Sequence, residues 1–107
     1  MELEKSLQYY GLEEKEAIAY LTCLQLGKDT AFRIADRCKL KRSTVYVILK
    51  SLNVKGLVTI SQTKKATLYE AASPKKLLQQ IEFRKNQLEE SLPLLLTLYK
   101  DLSLIHI

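Results

Sequence analysis

The chain is poor in the residues that catalysis, metal binding and membrane insertion require. Only one histidine is present, His106, next to last among 107 residues, so no Cys-His or Ser-His pair falls within a structured region. Neither Cys23 nor Cys38 has a second Cys or a His at metal-ligand spacing. Both fall on the apolar stripe of a prospective helix, and both are expected to be buried free thiols in a reducing cytoplasm. The segment Gly27-Lys28-Asp29-Thr30 superficially matches the end of a phosphate-binding loop, but Thr22 stands where its first glycine is required and no strand precedes it. No enzyme activity, metal or cofactor is therefore expected. The longest strongly apolar stretch, Leu92 to Leu98, is far below the roughly 20 residues that span a bilayer, so no membrane partner is expected. The opening Met-Glu-Leu-Glu-Lys has no basic segment leading into an apolar run, and no export signal is expected there.

Three glycines and two prolines, in a chain that is 47% hydrophobic, point to an ordered, helix-rich protein and away from disorder. The length leaves room for one modest domain plus an extension, not for a second domain.

Positive charge is concentrated. Residues 28 to 65 hold ten bases (Lys28, Arg33, Arg37, Lys39, Lys41, Arg42, Lys50, Lys55, Lys64, Lys65) and two acids (Asp29, Asp36), a local balance of +8. The remaining 7 bases and 10 acids sum to −3, so the chain total of +5 conceals the asymmetry. Charge gathered on one stretch is the footprint of a surface that neutralises phosphates.

Periodicity divides the chain into five helical segments and one hairpin. Leu3, Leu7 and Tyr10 recur at helical spacing, Gly11 can take a left-handed cap, and Leu12 is placed to fold back on the preceding turn. The acids Glu13, Glu14 and Glu16 favour the start of a second helix, which carries Ala17, Tyr20, Leu21 and Leu24 on one face and stops at Gly27. Thr30 is the expected N-cap of a third, with Ala31, Ile34, Ala35 and Cys38 as its stripe and Leu40 plugging the core at the following turn.

In the fourth helix Val45, Ile48, Leu49 and Leu52 cluster on one side, and Ser43, Val47, Lys50 and Val54 lie opposite. Tyr46 and Ser51 flank them, and Lys41, Arg42, Ser43 and Thr44 occupy the N-terminal end. Hydroxyls, a cation and a small apolar group on an outward face suit base-edge contact, because Ser and Thr bond several bases, Lys favours guanine and Val can touch a thymine methyl. An ordinary amphipathic helix with a solvated outer face has the same pattern. After Gly56, Leu57 to Ile60 reads as a strand and Thr67 to Ala71 as its antiparallel partner, with Lys64 and Lys65 between them. A basic tip in that place can reach phosphate or the minor groove, although lysines at a hairpin tip also guard against strand aggregation. Helix, turn, helix and hairpin together outline a winged helix-turn-helix.

Ser73 and Pro74 then start a last helix. The apolar positions of this helix fall into a heptad register, at alternating a and d sites.

 The heptad series is thus Leu78, Ile81, Lys85, Leu88, Leu92, Leu95, Tyr99 and Leu102, apolar at every place but Lys85. A segment of nearly 30 residues reaches about 40 Å and overshoots a small domain, so its surplus apolar surface requires a partner. Pro93 removes one helical hydrogen bond and is expected to bend or break this helix near Glu89 to Leu92, giving one kinked helix or two shorter ones. Lys85 either fixes register or snorkels.

The run Ala31 to Val58, with Ile34-Ala35, Leu40, Arg42-Ser43, Val45-Tyr46, Leu49, Leu52 and Lys55-Gly56-Leu57-Val58, resembles the N-terminal DNA-binding domain of the TrmB family of transcriptional regulators. Winged helices of the MarR and ArsR groups are similar in outline. Leu12 to Gly27 resembles that family's preceding helix, Tyr69-Glu70-Ala71 with Pro74 its exit from the wing, and the last segment with Pro93 and Tyr99 its dimerisation helix. Two places depart from the pattern: Lys39 stands where many such domains have Gly at the helix-turn-helix corner, and Gln62 to Ala66 lacks the glycine that usually sets a tight hairpin. Family members often continue into a sugar-binding sensor domain, which nothing in this chain supplies; the chain is a short regulator or a fragment, and its effector is unassigned.

The expected fold is mainly α with a small β-hairpin wing: a winged helix-turn-helix over residues 1–72, a coiled-coil-like dimerisation helix over 73–102 and a frayed terminus over 103–107. The resemblance implies a homodimeric, cytoplasmic regulator that binds specific double-stranded DNA. Its expected DNA-facing residues are Lys41, Arg42, Ser43, Thr44, Tyr46, Val47, Lys50, Lys64 and Lys65. Its expected dimer interface is Leu78, Ile81, Lys85, Leu88, Leu92, Leu95 and Tyr99. The alternative is a winged helix used as a protein-interaction module in a larger assembly, with basic residues that only solubilise.

Overall fold

The computed structural model of the chain describes residues 2–105, with side chains described from 2 to 101. Leu102 as a heptad position and the whole of the tail expected over 103–107, His106 included, therefore lie outside the described side chains. The elements run α1 (Glu2–Tyr10), α2 (Glu14–Leu26), α3 (Ala31–Cys38), α4 (Arg42–Val54), β1 (Val58–Gln62), β2 (Thr67–Ala71) and α5 (Lys75–Ile105). The chain divides into two compact units, Met1–Lys76 and Leu77–Ile107.

The first unit is a mainly helical winged helix built around α2, which packs against α1, α3, α4 and β2. Gly11, at φ +130°, ends α1, and the Leu12 N–H returns to the Leu7 carbonyl at 3.0 Å, burying both leucines. Gly27, at φ +73°, closes α2 by donating to Cys23 at 2.9 Å. The Thr30 hydroxyl accepts from the Arg33 N–H at 3.3 Å and caps α3, so the expected N-cap is the observed one. Ala31, Ile34, Ala35, Val45, Ile48, Leu49, Leu52, Leu57 and Val58 complete the core. A fully buried aliphatic side chain of this kind contributes about 1.5–3 kcal/mol.

Several expectations are corrected. The buried residues of α2 are Glu16, Ala17, Ala19, Tyr20, Thr22 and Cys23, so Ala17 and Tyr20 lie inward as expected, whereas Leu24 is exposed and Leu21 half-buried. Leu3 is likewise exposed and Tyr10 half-buried, leaving Leu7 as the one buried side chain of α1. Cys23 is buried, and burial pushes its thiol up to about 12, whereas Cys38 is only half-buried at the last turn of α3. The first strand starts one residue later than the sequence suggests and runs on to Gln62. Leu57 instead joins two elements: its N–H donates to the Leu52 carbonyl at the end of α4, and its carbonyl accepts from Ala72 after β2.

The hairpin is antiparallel, with Val58 opposite Ala71 and Gln62 opposite Thr67. Asp29 pairs with Tyr69 through two backbone hydrogen bonds, of 3.1 and 2.8 Å, and so ties the loop before α3 to the free edge of β2. The Tyr20 hydroxyl donates to the Ala72 carbonyl at 2.9 Å, fixing α2 to the chain leaving the wing.

In the second unit α5 is assigned as one helix with Pro93 inside it, so the alternative of two shorter helices is not realised. The Ser73 hydroxyl accepts from the Lys75 N–H at 3.2 Å and caps its start. No described helix is long and apolar enough to cross a membrane.

Candidate nucleic-acid interface

The helix-turn-helix corner is closed by Lys39 at φ 62°, ψ 34°. Its N–H donates to Ala35, and Leu40 returns to the same carbonyl at 3.2 Å. The left-handed corner is kept without glycine, at a cost of about 1–2 kcal/mol for a residue with a Cβ. Leu40 is half-buried there, so it plugs the turn only in part.

Helix α4 sorts its side chains sharply. Val45, Leu49 and Leu52 are fully buried and Ile48 nearly so, whereas Arg42, Ser43, Val47 and Lys50 are exposed, Val47 at 70%. Lys41 is the exposed N-cap residue, Thr44 is half-buried, and Tyr46 is about half exposed. Among the described residues no carboxylate lies within ion-pair distance of Lys41, Arg42, Lys50, Lys64 or Lys65. Uncompensated cations on an exposed face hold the positive potential that an anionic partner requires.

Not every base in the charged stretch is so disposed. Lys55 donates from Nζ to both oxygens of Glu16, at 2.8 and 2.9 Å, and Ser51 donates to the same carboxylate at 2.6 Å. Glu16 is 5% exposed and also accepts from the Glu13 N–H at 3.0 Å. Burial alone would raise its pKa, but the Glu13, Lys55 and Ser51 hydrogen bonds and the Lys55 charge outweigh that and hold the carboxyl below its ordinary range. The sequence suggested a helix-start role for Glu16; the structure shows in addition a buried anchor joining α2 to the end of α4. Arg33, near Asp29 at 3.7 Å, is a second base with an acidic neighbour.

The wing tip is ordered by a side chain in place of a glycine. The Thr63 hydroxyl accepts from the N–H groups of Lys65 and Ala66, at 3.2 and 3.1 Å, and donates to the Ala66 carbonyl, while Thr63 N–H also donates to that carbonyl. Lys64 and Lys65 are exposed on this tip. A hydroxyl returning to its own turn is a recognised signal, and it was available in the sequence at Thr63.

Phe32 is the surface residue that the periodicity does not reveal. It falls off the α3 stripe, is 56% exposed, and lies under Arg42, whose guanidinium carbon is 5.2 Å from the ring centroid. Phe32, Arg42 and Tyr46 share a cleft with Thr30, Ala66, Thr67 and Tyr69, which brings the front of α4 together with the tip-side half of β2. In α5 the side chains of Leu78, Ile81, Lys85, Leu88, Leu92, Leu95 and Tyr99 are all exposed, Leu88 at 65%. Among the described residues no cluster of His, Cys, Asp and Glu could hold a metal ion.

Comparison with known proteins places this geometry. The family model for the sugar-specific transcriptional regulator TrmB matches residues 7–75. The HTH-type sugar sensing transcriptional regulator TrmBL1 of Pyrococcus furiosus is 34% identical over 80 residues, which are 75% of this chain and 23% of that protein. Among solved structures, that of TrmBL2, an archaeal chromatin protein, superposes with a TM-score of 0.81 at 23% identity, covering 94% of this chain and 39% of the other. A MarR family protein from Bacillus stearothermophilus superposes with a TM-score of 0.59 at 18% identity, covering 94% and 76%. The structural likenesses show the winged-helix fold, and the chain spans less than a quarter of the curated relative it matches.

Proposed function

The chain belongs to the TrmB family of transcriptional regulators, and from that premise we propose that it binds specific double-stranded DNA as a homodimer in the cytoplasm. The observation that carries this reading is the outward face of α4, where Arg42, Ser43, Val47 and Lys50 are exposed on a helix whose other side is locked into the core. In this role α4 enters the major groove, with Lys41, Thr44 and Tyr46 at its margins. Cations and hydroxyls there bond base edges and phosphates, and Val47 meets a thymine methyl. Lys64 and Lys65 rest on the backbone or in the minor groove and add affinity without sequence preference.

One such helix covers only a few base pairs, so specificity requires two, set about one helical turn apart or a multiple of it by a two-fold dimer. The exposed heptad of α5 is the surface available for that pairing. Sugar sensing, as named for the Pyrococcus furiosus relative, is assigned to no residue of this chain.

The test is fluorescence anisotropy on a duplex selected by the chain from a randomised library, against a scrambled duplex of equal length. Replacing Arg42 or Lys50 with Ala is expected to cost about 1–3 kcal/mol of binding to the selected duplex while leaving the fold intact. Affinity for either duplex should fall steeply with salt. Unchanged affinity in both variants, or binding that ignores ionic strength, would remove α4 from the groove and favour a protein-interaction module.

A further inference from the structure

An exposed phenylalanine on the face that carries the free cations calls for an explanation, because Phe32 contributes little to the core at 56% exposure. Its ring lies 5.2 Å from the guanidinium carbon of Arg42, within the distance at which a cation is held over an aromatic face. A cation–π contact holds the charge over the ring face and takes up none of the N–H donors in hydrogen bonds. Among the described residues no carboxylate takes up those donors at ion-pair distance, although Asp36 lines the same notch with Phe32, Lys39 and Leu40. An exposed arginine otherwise samples many rotamers, and ordering it on binding costs free energy.

We propose that Phe32 is a positioning residue, which holds the Arg42 guanidinium at the start of α4 in readiness for a bidentate contact to guanine or phosphate. The inference rests on the DNA-binding reading given above. Phe32 acts through Arg42 and belongs to α3, so the orientation of the first reading side chain is set by the other helix of the motif. Tyrosine at position 32 keeps the aromatic face, whereas leucine keeps the bulk and loses the face.

A double-mutant cycle on the full chain tests this, using Phe32→Leu, Phe32→Tyr, Arg42→Ala and Phe32→Leu with Arg42→Ala. The probes are the library-selected duplex and its scrambled counterpart. Phe32→Leu should weaken binding to the selected duplex about three- to five-fold, the size of an exposed cation–π contact. Phe32→Tyr should restore it, and Phe32→Leu should have no further effect once Arg42 is Ala. The thermal unfolding midpoint should fall by no more than a few degrees in any variant, as expected for loss of one exposed cation–π contact in the free protein. Equal losses from Phe32→Leu in both Arg42 backgrounds would show that the ring acts on DNA or on the fold by itself, and would overturn the proposal while leaving α4 in the groove. If Arg42→Ala alone bound both duplexes as tightly as the unmodified chain, the reading of the first turn of α4 would fail, and the positioning role with it.

Discussion

In the unit Met1–Lys76 the core stripe of α3 and α4 is closed off at Ile34, Val45, Leu49 and Leu52, which are fully buried; in α5 the periodic positions Leu78, Leu88, Leu92, Leu95 and Tyr99 are exposed. Both stripes have helical spacing, and both specify helices. The difference lies in where the covering surface comes from. A winged helix supplies its own, from neighbouring helices and a hairpin, whereas in the dimer proposed above the heptad seam of α5 takes it from a second copy of the chain. Leu94, at a c position away from the heptad seam, and Leu98, at a g position on its flank, are also exposed, so this end of the helix presents apolar surface beyond the a and d positions.

The largest effect should come from breaking the exposed stripe. Replacing Leu88 and Leu92 with Lys is expected to give monomers in which amide protection of α2 and α4 persists. Affinity for a palindromic duplex should fall to nonspecific strength, a loss of about a thousandfold or more. Loss of protection in α2 and α4 would contradict the independence of the two stripes.

Within the self-covered unit, Glu16→Gln should cost about 1–3 kcal/mol, because Ser51, Lys55 and the Glu13 N–H lose their shared carboxylate. Lys55 remains partly exposed and can turn to water, which limits the loss. The folded state holds the Glu16 pKa below its unfolded value, so the carboxylate stabilises above the ordinary carboxylate range and that contribution is lost as pH falls through the depressed folded value. Chemical denaturation across this interval should show the gap between the two proteins closing as pH falls; a gap independent of pH would contradict the ionised anchor.

These two positions also show what was legible in the chain. The sides of α4 could be read because Val45, Ile48, Leu49 and Leu52 meet the core at simple helical spacing, and the Thr30 cap and the wing followed from local chemistry. Glu16 with Ser51 and Lys55 could not be read, since their partnership spans 35 and 39 residues and depends on how α2 lies against α4. The pairing of Asp29 with Tyr69 is hidden for the same reason: a loop and a strand edge meet only after the helices pack. Leu24 departs from the expected stripe because helical period locates a stripe but not which neighbours cover it.

A smaller effect concerns the wing. Changing Lys64 and Lys65 to Ala should weaken binding to selected and scrambled duplexes by similar factors and lower the salt slope by up to about two units. Loss of sequence discrimination at an unchanged slope would make the wing a reader of bases. The smallest effect should be at the corner, where Lys39→Gly relieves a left-handed residue and is expected to raise stability by about 1 kcal/mol or less, measured by denaturant unfolding. Destabilisation there would mean that the Lys39 side chain itself holds the turn.

The most direct test of the central claim is sedimentation equilibrium of the unmodified chain at micromolar concentration, alone and with the selected duplex. The account predicts a species of twice the 12.3 kDa chain mass, carried intact onto one duplex. A monomer that stays monomeric in both conditions, with Leu88 and Leu92 protected from solvent, would contradict it.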